Sequence, residues 1–102
     1  MRQLRKAITA AGDDLTLLGE LGVALHHRGD SEAALEALGR AATAEPPDAA
    51  VLAAWVDELL AAERLTEAAQ AARRWIESEP ANAAPYLALG EAQLASGDVA
   101  AA

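Results

Sequence analysis

The sequence predicts an all-α fold in which one antiparallel helical pair is written out more than twice. Three observations carry that expectation. Apolar residues make up 53% of the 102 positions while aromatics supply only 3%. Helix contacts must then rely on leucine, alanine and valine; leucine and alanine are strong helix formers, and most residues that favour strands are scarce. The second observation is a fixed interval. Asp14, Asp48 and Asn82 stand 34 residues apart in turn, as do Leu21, Trp55 and Leu89, and Leu18, Leu52 and Tyr86. Pro46 and Pro80 keep the same spacing, and Gly29-Asp30 returns as Gly97-Asp98 after two intervals. The third is Gly22, set in the helical pattern Leu18-x-x-Leu21-Gly22-x-x-Leu25. A mid-helix glycine costs about 1 kcal/mol against alanine, so its presence implies a second helix pressed against that face.

Taken in order, residues 2–11 fit the rear half of a unit. Leu4, Ala7 and Ile8 fall one interval before Leu38, Ala41 and Ala42, and Gly12 stands where later units place proline. Asp14 caps a helix over 15–28, since a side-chain oxygen there accepts from an early helix amide. Arg28-Gly29-Asp30 interrupts the pattern. Asp30-Ser31-Glu32 then opens a helix near 32–45, with Ser31 as its cap and Pro46 closing it. Asp48 caps a helix over about 49–62, and Thr66 caps one over about 67–78. Asn82 caps the helix over 83–96, whose first turn tolerates Pro85. Val99–Ala102 begins a further helix. The chain thus divides into a trailing half unit (1–14), two complete units (15–48 and 49–82) and a leading half unit (83–102).

A 34-residue helix–turn–helix carrying these residues resembles the tetratricopeptide repeat. The unit Leu15–Asp48 matches most fully, with Leu18 and Leu25 in place of the usual aromatics. Ala49–Asn82 keeps Leu52, Leu59, Ala68 and Pro80 but departs at Trp55, Val56, Ala72 and Trp75. The third unit keeps Tyr86, Leu89 and Gly90, and has Gln93 at a normally apolar place. The resemblance covers the whole chain. It implies a right-handed superhelical stack of about six helices (an α-solenoid), with the first helix of each pair lining the concave face. The departures compensate one another: Leu38 gives way to Ala72 while Ala41 gives way to Trp75, and residues three apart share a helix face. The Trp75 indole is expected to fill the space over Ala72 and touch the preceding helix near Val56.

Composition excludes several function classes. The net charge is −8, whereas nucleic acids and anionic membranes attract a positive patch; partners are expected to be basic or apolar. With no cysteine, disulfides, thiolate zinc sites and cysteine nucleophiles drop out. No apolar run follows Arg2, Arg5 and Lys6 as a signal peptide would require, and no window is long enough to span a bilayer. A soluble, cytoplasmic protein is the expectation.

Candidate chemistry is sparse. His26, His27 and Asp30 form the one cluster resembling a site, but zinc takes three or four protein ligands and there is no third histidine. A solvated pair near a helix C-terminus, where the dipole favours positive charge, explains them. Ser31 is explained by capping, Gly19 and Gly22 follow no strand as a phosphate loop would, and Asp57-Glu58 and Glu77/Glu79 read as solvated carboxylates. Arg40, Arg64, Arg73 and Arg74 are expected to pair with Glu36, Glu67, Glu77 or Glu79. The chain is therefore read as non-enzymatic, with no catalytic, cofactor or metal site.

The resemblance places a partner-binding groove on the first helices of the pairs. Its positions are Thr16, Gly19, Val23, His26 and His27; Ala50, Ala53, Asp57, Leu60 and Ala61; and Ala84, Leu87, Glu91 and Ala95. Family members that clamp a peptide C-terminal carboxylate use basic and amide side chains, where this chain has Gly19, Val23, Ala54, Ala84 and Ala88, so that mode is not expected. A helix or extended peptide of a partner protein with apolar anchors and a basic residue suits the groove better. The alternatives are a structural spacer or self-association segment of a larger protein, associating through its end helices, and the repeat portion of an enzyme whose catalytic domain lies elsewhere.

Overall fold

The computed structural model describes residues 2–97, with side chains from Lys6 onward. Six helices follow one another: α1 Arg2–Ala11, α2 Leu15–Arg28, α3 Ser31–Ala41, α4 Ala49–Ala61, α5 Leu65–Ser78 and α6 Ala83–Ser96. The fold is all-α, with no strand among the described residues. Val99–Ala102 lies outside them. The three helix starts expected from the 34-residue spacing are capped as the residue types require. Asp14 accepts from the Leu17 amide at 3.1 Å, Asp48 from Ala50 at 2.9 Å and Asn82 from Ala84 at 3.0 Å. Each such cap contributes about 1 kcal/mol. At the other end, α2 and α6 both stop on a glycine in the left-handed region, Gly29 at φ 84° and Gly97 at φ 78°, a conformation that spares the Cβ clash other residues meet.

Two starts and one end differ from expectation. Asp30, not Ser31, occupies the cap of α3 and makes no side-chain capping bond; its carboxylate lies 3.4 Å from the Arg28 guanidinium instead. Helix α3 stops at Ala41, because Pro46 and Pro47 cannot continue a helix and bias the residue before them away from it. Thr43 and Ala44 close the end with turn bonds to the Arg40 and Ala41 carbonyls, and the Glu45–Pro46 peptide is cis. Helix α5 begins at Leu65, so Thr66 lies in its first turn and Arg64 takes the cap position. The Arg64 guanidinium grips Glu67 through two bonds, at 2.7 and 3.0 Å.

Burial follows the sequence spacing. Leu18 and Leu52 are fully buried, as are Leu38 and Leu59. A Cβ added to Gly22 would lie 2.8 Å from both Cγ and Cδ2 of Leu38, and 3.1 Å from its amide nitrogen. The α2 backbone therefore rests directly on Leu38, as the mid-helix glycine implied. Gly19 plays the same part toward α4, with Val51 Cγ2 2.9 Å from where its Cβ would stand. In the second pair Val56 replaces Gly22 and Ala72 replaces Leu38, and both are fully buried. Bulk has moved from one helix to its neighbour.

Trp75 completes the exchange. It is 7% exposed within the core shared by Ala72 and Val56, and its indole N–H donates to Glu79 Oε1 at 2.8 Å. Asn82 donates to the same oxygen at 3.1 Å. These two bonds favour the ionised form and hold the Glu79 carboxyl below the ordinary glutamate value of 4.5.

Two arginines 34 residues apart tie successive units together. Arg40 on α3 donates to the Gly12 carbonyl at the end of α1, with Asp13 3.9 Å away. Arg74 on α5 donates to the Ala42 carbonyl, to the Ala44 carbonyl at 3.3 Å and to Glu45 at 3.0 Å. Each thus neutralises carbonyls just past the helix two before its own, where the dipole attracts a cation. The expected carboxylate pairing holds for Arg64 with Glu67, but Arg40 and Arg74 serve mainly backbone oxygens, with Asp13 and Glu45 as their carboxylates.

Candidate functional site

Helices α2, α4 and α6 pack on one another in turn, and the residues expected to line a groove lie along them. Thr16, His27, Asp57, Leu87 and Glu91 are exposed; Val23, His26, Ala53 and Leu60 are half-buried. Ala50, Ala61, Ala84 and Ala95 are also exposed. Gly19 is buried beneath Val51 and forms floor instead of contact surface. The accessible residues combine short apolar side chains with two outward carboxylates.

The structure draws His26, Asp57 and Glu58 together. His26 Nδ1 lies 2.7 Å from Glu58 Oε2, and Nε2 lies 3.8 Å from Asp57 Oδ2. Glu58 is only 5% exposed. Its position, expected to be solvated, is instead covered because it turns toward α2 rather than away from it. An ionised Glu58 only accepts, so Nδ1 carries the proton and donates to it. A buried carboxylate without such a donor is strongly disfavoured. His26 therefore solvates a buried acid, and does not share a face with Asp30. The His27 ring packs at 5.4 Å from that of His26.

Both imidazole nitrogens of His26 face carboxylates, Nδ1 within hydrogen-bond distance of Glu58 and Nε2 at the longer range of Asp57. Among the described residues no group of three or more His, Asp or Glu side chains is arranged to hold a metal ion. Depressions near this side are shallow. One of about 180 Å³ lies between α2 and the α3–α4 connection, lined by Thr16, Gly19, Asp48 and Val51 among others.

No family profile, no curated protein and no solved structure matches the chain. Among the described residues, no helix is long and apolar enough to cross a membrane.

Proposed function

We propose that the chain is a non-enzymatic protein-interaction module of the tetratricopeptide kind, its helical pairs stacked as a right-handed superhelical array. It takes a helix or extended peptide of a partner protein on the side formed by α2, α4 and α6. The observation that carries this reading is the half-buried Val23, Ala53 and Leu60 and the exposed Leu87, with the exposed Asp57 and Glu91, on three helices that pack on one another in turn. Apolar side chains there provide burial, and the carboxylates favour a basic residue at the edge of the ligand. The short side chains leave room for a helix to approach closely, and shallow relief suits a peptide better than a small molecule.

The test is a fluorescence-anisotropy titration with two amphipathic peptides that share apolar residues but carry lysines or glutamates. The lysine peptide binds more tightly, and Asp57→Lys together with Leu60→Glu abolishes its binding. Preference for the glutamate peptide overturns the reading.

A further inference from the structure

Among the described residues the large apolar side chains left exposed are Leu17 at 47%, Tyr86 at 49%, Leu87 at 67% and Leu94 at 69%. All four stand at positions that are better covered elsewhere in the same chain. Val51 and Pro85, one and two intervals after Leu17, are 4% exposed and fully buried respectively. Leu18 and Leu52, before Tyr86, are both fully buried. Gly19 and Ala53 precede Leu87, and His26 and Leu60 precede Leu94; none of these is exposed. Leu17 marks the leading side of α2, and the other three mark the trailing side of α6. Gly90 repeats the position of Gly22, yet nothing lies within 4 Å of where its Cβ would be.

We propose that these two ends are the halves of one joint, and that copies of this chain associate head to tail, with α1 and α2 of one copy seated against α5 and α6 of the next. The packing inside the chain supplies the template. Val51 sits on Gly19 of the preceding unit, 2.9 Å from where a Cβ would stand. Carried forward two intervals, the same step sets Leu17 of the second copy on Leu87. His26 meets Glu58 in the chain, and the same step sets Leu94 against the exposed Ala24, a large residue against a small one.

Charge matches as well. Lys6 is exposed and stands one interval before Arg40 and two before Arg74, the residues that reach the end of the preceding odd-numbered helix. In the joint it reaches the corresponding end of α5, beside Glu77 and Glu79. Residues 2–11 contain Arg2, Arg5 and Lys6 and no acid, whereas residues 76–97 contain Glu77, Glu79 and Glu91 and no base. The contact is heterologous, so a pair of copies joined by it keeps one unused head and one unused tail to which further copies add. Glu20 stands where Ala54 and Ala88 are buried at 5% and 8%, which makes this joint weaker than those inside the chain.

The experiment is sedimentation equilibrium of the whole chain over a wide concentration range. Wild-type mass rises from 10.5 kDa through two copies and beyond, without a plateau. Lys6→Glu with Leu17→Glu blocks the head, Leu94→Glu blocks the tail, and each protein alone stays monomeric. An equimolar mixture of the two stops at two copies, because one intact head meets one intact tail. Glu20→Ala tightens association at least tenfold, while Asp57→Lys, which tests the groove, leaves it unchanged. All substituted side chains are exposed, circular dichroism verifies the helices, and Tyr86→Glu serves as a second tail variant. A wild type that stays monomeric throughout, a closed dimer, or association indifferent to Leu17→Glu overturns the proposal.

Discussion

Gly22 and Gly90 occupy the same place in successive odd units, two intervals apart, but their surroundings are opposite, and this makes alanine substitution a signed test. At Gly22 the new Cβ would stand 2.8 Å from Leu38 Cγ and 3.1 Å from the Leu38 amide nitrogen. Leu38 is fully buried, so its side chain has nowhere to swing, and the amide belongs to the α3 backbone. Overpacking of this kind costs about 1–3 kcal/mol, against a helix-propensity gain of about 1 kcal/mol. Gly22→Ala should therefore destabilise the fold by up to roughly 2 kcal/mol, lowering the thermal midpoint by about 4–8 °C per kcal/mol for a chain of this size. At Gly90 there is open space, so Gly90→Ala should stabilise by up to about 1 kcal/mol. The assays are urea unfolding for the free energy and thermal unfolding for the midpoint, both followed by circular dichroism at low protein concentration. A double-mutant cycle adds specificity: in a Leu38→Ala background the Gly22→Ala penalty shrinks, because only the 3.1 Å approach to the backbone amide is left. Destabilisation of equal size at both glycines, or a Gly22→Ala penalty untouched by Leu38→Ala, refutes the close-approach argument.

Four further outcomes are expected. Trp75→Ala leaves a cavity in the core and should lower stability by about 3–5 kcal/mol in the same denaturation assay, a near-neutral result placing the indole at the surface. Arg74→Ala exposes the carbonyls past α3 to an unbalanced helix end, and should destabilise by about 1–2 kcal/mol, as expected for hydrogen bonds made by a charged donor; Arg40→Ala should behave alike. Glu79 has its carboxyl held low in the folded state. Its contribution is therefore complete above the ordinary value of 4.5 and fades as pH falls through the lower folded value. Glu79→Gln should remove that acid-side component from a stability-versus-pH curve and leave the slope on the neutral side unchanged. Finally, His26→Phe strands the Glu58 carboxylate and should destabilise by about 1–3 kcal/mol, whereas adding Glu58→Leu should recover most of the loss.

The features legible in the sequence were those that report on a single residue's local duty. Asp14, Asp48 and Asn82 announce helix starts because their side chains satisfy amides two or three residues away, and Gly22 announces a close neighbour because it is otherwise unfavourable. The exchange of Leu38 and Ala41 for Ala72 and Trp75 was equally readable, since volume is conserved across one helix face. What is not legible there depends on partners that the sequence does not mark. Glu58 reads as a solvated acid beside Asp57, and its donor His26 lies off the 34-residue register, so no periodic scan connects them. Its burial was recoverable only by noticing that Ala92, one interval later, is an alanine. Arg40 and Arg74 do keep the register, but their acceptors are mostly backbone oxygens, which have no sequence signature. The starts at Ser31 and Leu65 were each misplaced by one or two residues, because polar residues crowd both turns and several can serve as the boundary.

The central claim is that units 34 residues apart pack on one another through the same contacts. Nuclear Overhauser effects on the isotopically labelled chain test it most directly. The account predicts cross-peaks from Gly22 Hα to the Leu38 methyls, from Gly19 Hα to a Val51 methyl, and from Gly39 Hα to the Trp55 indole N–H, whose nitrogen lies 3.6 Å from the Gly39 Cβ position. A well-dispersed spectrum lacking the Gly19–Val51 and Gly39–Trp55 peaks would contradict it, because the first unit would then not rest on the second.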